Sequence, residues 1–142
     1  MAKFGFPDTL VAEADGWAAL VRPQQVTLGA MVLVCQEPVG AFGQVSAAGF
    51  AGLGRMVART ESALKAAFNY DKINFVMLMM VDPDVHFHVV PRYAGERMFS
   101  GQTFQDAYWP KPPDLTQPAP QPPELLSAIR ERIRSHWPRE IG

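Results

Sequence analysis

The stretch that decides the reading of this chain is Val85-His86-Phe87-His88-Val89-Val90-Pro91-Arg92. Two of the chain's three histidines stand there, two residues apart in an apolar run. Side chains alternate faces along a strand, so both imidazoles point to one side and Phe87 and Val89 to the other. Such a strand presents paired ring nitrogens to a ligand. The same pattern also fits a half-buried strand that happens to carry histidines, and the surrounding sequence bears on that choice.

Immediately upstream, Ile73 to Val81 is apolar on both faces except at Asn74, as a central strand would be. Asp82-Pro83-Asp84 then reads as a turn, which joins this strand to the histidine strand as a tight antiparallel hairpin with both aspartates beside the imidazoles. Further upstream, Ser46 can cap a helix with apolar positions at Phe50, Leu53, Val57, Leu64 and Phe68. Its polar side carries Arg55, Arg59, Glu61 and Lys65, and the helix ends near Asn69-Tyr70-Asp71. Before it, Trp17 to Val21 reads as a strand stopped by Arg22-Pro23, and Met31 to Cys35 as a buried strand closed by Gln36-Glu37-Pro38.

Downstream of Arg97 a polar loop, Ser100-Gly101-Gln102-Thr103, leads to Ala107-Tyr108-Trp109. Seven prolines between Pro110 and Pro123 predict an extended surface arm. Pro122 and Pro123 can open a last helix from Glu124 to about Trp137, with Leu126, Ile129, Ile133 and Trp137 on one side. Arg130, Arg132 and Arg134 read as a solvated face and His136 as a surface histidine. The expected class is α+β: an antiparallel sheet with one long helix packed on it and a C-terminal helix. The expected units are a domain over 1–109, the arm over 110–123 and a helix over 124–142 that packs on the domain or on a partner subunit.

Composition limits the functional classes. At 142 residues, 48% hydrophobic and 19% charged, the chain can bury an ordinary core. Thirteen basic against fourteen acidic residues leave a formal charge of −1, which argues against general attraction to nucleic acid or to an anionic membrane. Any phosphate binding must be local. Cys35, the single cysteine, has no disulfide partner, reads as a small core residue and suits a reducing compartment. No apolar run has the length of a membrane span or signal peptide, so the sequence-based expectation is a cytoplasmic protein.

Two imidazoles on one strand face can divide labour near neutral pH. One attacks a phosphorus or acyl centre while the other binds the anion or protonates the leaving group. The same pair could instead hold a metal, although zinc needs further ligands, for which Asp82, Asp84, His136 and Cys35 are the candidates.

The segment His86-Phe87-His88-Val89-Val90-Pro91-Arg92 resembles the second and third histidines and the tail of the histidine triad (HIT) motif, His-φ-His-φ-His-φ-φ with φ apolar. Its Pro-Arg ending is frequent in the diadenosine polyphosphate hydrolase-like branch. Ala19-Leu20-Val21, Leu28 to Val34 and the long helix follow the same order as in that family, so the resemblance covers roughly Trp17 to Arg97.

The resemblance implies a nucleotide hydrolase or nucleotidyl transferase, usually a homodimer, with a nucleotide substrate and neither cofactor nor metal. By the same token His86 attacks the α-phosphate to form a nucleotidyl-histidine, and His88 contacts phosphate and assists the leaving group. Arg92, with polar side chains such as Asn74, offsets phosphate charge.

Three departures stand out. Asp84 occupies the first triad position, where the family uses a main-chain carbonyl to orient the nucleophile. Met79-Met80-Val81-Asp82-Pro83 replaces a Gly-rich Ala-Gly-Gln element that cradles phosphate. Arg22 stands where an asparagine near the ribose is common. Asp84 leaves a second expectation open, a nucleotide- or metabolite-binding protein with weak or no catalysis.

Overall fold

The computed structural model describes residues 4–116 and 120–139. Its centre is a five-stranded sheet in the order β1-β2-β3-β5-β4, every neighbouring pair antiparallel. The strands are β1 (Leu10–Ala14), β2 (Trp17–Val21), β3 (Met31–Cys35), β4 (Lys72–Val76) and β5 (His86–Arg92). A small second sheet pairs β6 (Arg97–Phe99) with β7 (Gln102–Phe104), and the helices are α1 (Ala47–Phe68) and α2 (Pro123–Ser135). This is the α+β class expected from the sequence, with the long helix and the C-terminal helix in place.

The period of two along each strand sorts the sheet into two faces. Trp17, Ala19 and Val21 of β2, Met31, Leu33 and Cys35 of β3, and Val89 of β5 share one core with Met56, Ala63, Leu64 and Phe68 of α1 and Leu125, Ile129 and Ile133 of α2. The opposite face carries a smaller cluster of Ala18, Leu20, Val32 and Val34, covered by Phe4 from the N-terminal segment. β5 lies between β3 and β4, with Val34 opposite His86 and both Val32 and Val76 opposite His88. Phe87 packs at the edge of the large core, so the histidines belong to the other face.

α1 begins where Ser46 accepts a hydrogen bond from the Gly49 amide (2.9 Å) and ends on Asn69 in the left-handed region (φ 51°). Its buried face is the expected one at Leu64 and Phe68, with Leu53 and Val57 packed at the core's edge, and departs from it in the first turns. Gly49, Gly52, Met56, Thr60, Ala63, Leu64, Ala67 and Phe68 are buried, whereas Phe50 is exposed. The cause is close approach: Trp17 Nε1 donates to the Gly49 carbonyl (2.8 Å), and a Cβ on Gly52 would meet the Asp15 carbonyl oxygen at 2.1 Å. In the first turns it is therefore small residues, Gly49 and Gly52, that seat the helix, and in the later turns Met56, Leu64 and Phe68.

Several other elements differ from expectation. β1 is an additional strand, joined to β2 through Asp15-Gly16, both at positive φ (57° and 83°), the geometry of a tight hairpin turn. Ser100 and Gly101 (φ 49° and 76°) form a similar turn between β6 and β7, where the sequence reads only as a polar loop.

The run Ile73 to Val81 is not one central strand. β4 stops at Val76 and forms the sheet edge, and residues 77–85 make a loop rather than a tight joint. Met79 adopts φ 52°, which breaks the extended run, and Leu78, Met80 and Val81 are exposed at 53%, 82% and 79%. On α2 the buried residues are Leu125, Ile129 and Ile133, one position off the expected start. Arg130 reaches back to the Leu10 carbonyl (2.5 Å) and Arg132 lies over the Phe99 ring, so these two arginines are not a freely solvated face.

The arm is held to the sheet end: the Gln121 amide donates to the Pro23 carbonyl (3.1 Å), and Arg22 and Arg92 donate to Leu115 and Lys111 carbonyls (2.5 and 2.6 Å). Residues 1–3, 117–119 and 140–142, which the expected units include, lie outside the described residues. Among the described residues no helix is long and apolar enough to cross a membrane.

Candidate active site

The histidine face of β5 opens into a cleft of about 570 Å³. His86 and His88 form its floor, Leu78, Met80, Val81 and Asp82 of the 77–85 loop form one flank, and Arg22 with Gln24 and Leu115 forms another. The two imidazoles stand edge to face, their centroids 5.1 Å apart, and the Phe4 ring leans on His86 at 5.3 Å. His86 is only 4% exposed, so its ring is held rather than free to rotate.

The orientation of His86 follows from one hydrogen bond. Its Nδ1 lies 2.7 Å from the Asp84 main-chain carbonyl oxygen. A carbonyl can only accept, so Nδ1 carries the proton, and in the neutral ring Nε2 holds the lone pair. The contact depends on the turn before the strand, where the Asp84 amide donates to Asp82 Oδ1 (2.8 Å). A backbone group does this work, so the identity of the residue at position 84 does not alter that bond.

Arg22 is the fixed cation among the cleft-lining residues described. It follows β2, and its amide donates to the Ala30 carbonyl (2.9 Å), extending the β2–β3 ladder by one step. That register puts its side chain on the same face as Leu20, Val32 and His88. It is 9% exposed, and the guanidinium donates to the Gln24 carbonyl (3.3 Å), Gln24 Oε1 (3.3 Å) and the Leu115 carbonyl (2.5 Å). Burial pulls its pKa below the ordinary arginine value, yet a guanidinium remains charged at neutral pH.

Arg92 and Asn74, the other candidate binding residues, lie away from the cleft lining. Six residues along an extended strand separate Arg92 from His86, roughly 20 Å. Arg92 is engaged there in a bidentate pair with Asp106 (Nε–Oδ2 2.7 Å, Nη2–Oδ1 3.1 Å) and also donates to Asn74 Oδ1 (2.9 Å). Asp106 also accepts from the Tyr93 amide (3.2 Å), so the cluster ties β4, β5 and the start of the arm together. Proximity to the histidines in sequence gave no proximity in space, because the strand is extended.

The sequence reading missed the cleft-forming roles of Phe4, Gln24, Leu115 and the 78–81 loop. The loop did carry a signal, since a long apolar run that reaches an Asp-Pro turn leaves its last residues beyond the paired strand. Phe4 carried none. Cys35 sits in the core on the opposite face, its thiol pKa raised by burial. Among the described residues no group of three or more His, Cys, Asp and Glu side chains is gathered as a metal site.

No protein-family model matches this chain, and no curated protein matches it in sequence. Solved structures do match it in fold. A histidine triad protein from Sinorhizobium meliloti superposes with a TM-score of 0.73 at 21% identity, covering 89% of this chain and 87% of that one. A histidine triad protein from Bradyrhizobium japonicum gives 0.72 at 21% identity over 90% and 89% of the two chains. One from Marinobacter aquaeolei gives 0.70 at 18% identity over 96% and 93%. The chain thus has the fold of histidine triad proteins across nearly its whole length.

Proposed function

We propose that this protein is a nucleotide hydrolase or nucleotidyl transferase acting on the α-phosphate of a nucleoside or dinucleoside polyphosphate through a covalent intermediate on His86. The observation that carries the reading is the 2.7 Å hydrogen bond from His86 Nδ1 to the Asp84 carbonyl, which leaves Nε2 as the nucleophilic nitrogen beside a second imidazole.

In the first step Nε2 attacks the α-phosphorus, a P–N bond forms, and the P–O bond to the leaving phosphate or nucleotide breaks. His88, as imidazolium, gives its proton to the departing oxygen. In the second step water or another hydroxyl attacks phosphorus, its proton goes to His88, and the P–N bond returns its electron pair to His86. The products are a nucleoside monophosphate, or its ester, and the free enzyme.

Arg22 offsets phosphate charge in this scheme, and Arg92 and Asn74 support the arm and sheet end rather than touch substrate. Asp82 and Asp84 add negative charge near a phosphate site, which lowers affinity without removing the nucleophile. The working form we propose is a homodimer, since the outer side of β4 is a sheet edge with half-buried Ile73 and Phe75.

A panel of adenosine nucleotides and dinucleoside polyphosphates, assayed for product release with wild type and His86→Ala, tests the reading. Turnover by wild type that disappears in the variant supports it. Ligand binding by calorimetry without product would instead identify a binding protein, and Asp84→His would then be expected to restore turnover.

A further inference from the structure

Arg22 and Arg92 are both more than nine-tenths buried, but their partners differ in kind. Arg92 is neutralised by Asp106, whereas the three acceptors of Arg22 are uncharged carbonyl oxygens. A buried cation without a counter-charge is costly, and a guanidinium has five N–H donors, of which these bonds use three. Among the described residues two donors, Nε–H and one Nη1–H, therefore remain on a fixed positive group in the wall of a cleft.

The register gives the distance over which that charge acts. Arg22 aligns with Ala30, and the β3–β5 ladder runs on from Met31 opposite Val89, which places Ala30 beside Val90. Arg22 is thus two strands across from β5 and two residues further along than His88. With strands about 4.8 Å apart and about 3.4 Å per residue, its Cα is roughly 12 Å from that of His88 and roughly 17 Å from that of His86. An arginine side chain covers part of that gap, and its guanidinium is tied to Gln24 and Leu115 on the flank of the cleft rather than aimed along its floor toward His86.

We propose that Arg22 forms a subsite for a second phosphate group, so that the protein selects nucleotides carrying one phosphate that reacts at His86 and another, separated from it, held by Arg22. The inference rests on the nucleotide reading given above. The second phosphate can come from the ribose, as a 2′- or 3′-phosphate, or from the 5′-polyphosphate chain, and the chemistry that recognises it is the same: a fixed guanidinium donating a charge-assisted hydrogen bond to a phosphate oxygen. The exposed loop residues Leu78, Met80 and Val81 give the rest of the ligand an apolar wall opposite that charge.

Calorimetry on the full chain with four probes tests this: adenosine 5′-monophosphate, adenosine 2′,5′- and 3′,5′-bisphosphate, and adenosine 5′-diphosphate. At least one of the last three should bind wild type about tenfold or more tighter than the monophosphate. That ratio should fall below about twofold in Arg22→Gln and stay intermediate in Arg22→Lys. A gain with a bisphosphate assigns the ribose side, and a gain with the diphosphate assigns the chain.

Equal binding of all four probes by wild type, or a gain that survives in Arg22→Gln, overturns the proposal. The wild-type comparison decides even if a variant fails to fold. Binding of the monophosphate with no gain sinks the subsite alone. No binding of any probe, together with no adduct on His86, sinks the nucleotide reading with it.

Discussion

The two faces of the sheet are built from the same strands and do different work. On β5 the odd-numbered Phe87 and Val89 join the core under α1, while the even-numbered His86 and His88 look into the cleft. Among the described residues the apolar core on the helix face has twenty buried members, drawn from the sheet, both helices and the segments between them, and the apolar cluster on the cleft face has five. One face therefore holds the larger apolar core and the other is left open as a cleft, with the two-residue period of the strands dividing them. Substitutions on the two faces should separate activity from stability.

The largest effect is expected at His86. His86→Ala should lower turnover by about 10³-fold or more, as loss of a covalent nucleophile does, while far-UV circular dichroism stays that of the folded protein. Steady-state rates with a nucleotide panel check this, and a loss of less than tenfold would break the comparison.

Next comes Asp106, which tests whether the sheet end beside the cleft is structural. Asp106→Ala strands the buried Arg92 guanidinium and should cost about 3–5 kcal/mol in urea unfolding. Product formation per folded molecule should persist.

On the helix face, Leu33 is fully buried in the large core. Leu33→Ala should cost about 2–5 kcal/mol through lost burial and the cavity it leaves. Adduct formation at His86 in the folded fraction should remain. A selective loss of adduct would mean that the two faces are coupled.

The smallest effect is expected at the entry to α1. Ser46→Ala should cost about 1 kcal/mol, because the cap on the Gly49 amide is lost. Glu37 accepts from both the Ser46 hydroxyl (2.6 Å) and its amide (2.9 Å), and these bonds hold its carboxyl below the ordinary glutamate value. A lowered folded-state pKa gives stability that is present above the unfolded value and is lost as pH falls through the folded one. The difference between wild type and Ser46→Ala in denaturant titrations should therefore shrink as the medium is acidified below the usual glutamate range. A difference that grows on acidification would remove Glu37 from the cap.

The fold was legible where pattern and period agree. Met31–Cys35, the cap at Ser46 and the pairing of β4 with β5 follow from β-branched runs, a serine before a helical period and a hairpin order. The site was legible at His86 and His88, because a period of two needs no tertiary information. What could not be read depended on approach between distant segments. Gly49 and Gly52 seat α1 against Trp17 and Asp15, thirty or more residues away, and nothing local distinguishes them from tolerated glycines. The apolar Leu78, Met80 and Val81 looked like core because hydrophobicity alone does not say whether a residue meets protein or a ligand. The contrast of Arg22 with Arg92 was hidden for a related reason, since it lies in Asp106, fourteen residues beyond Arg92.

The central claim is that His86 Nε2 is the nucleophile, and direct trapping tests it. Wild-type protein mixed with a dinucleoside polyphosphate or nucleoside polyphosphate, quenched in alkali and digested, should yield the peptide containing His86 with the added mass of one nucleotidyl group, a nucleoside monophosphate less one water. The acid-labile bond of a phosphoramidate should release that mass, and the adduct should be absent from His86→Ala. Turnover without any adduct on His86, or an equal adduct and rate in His86→Ala, would contradict the account.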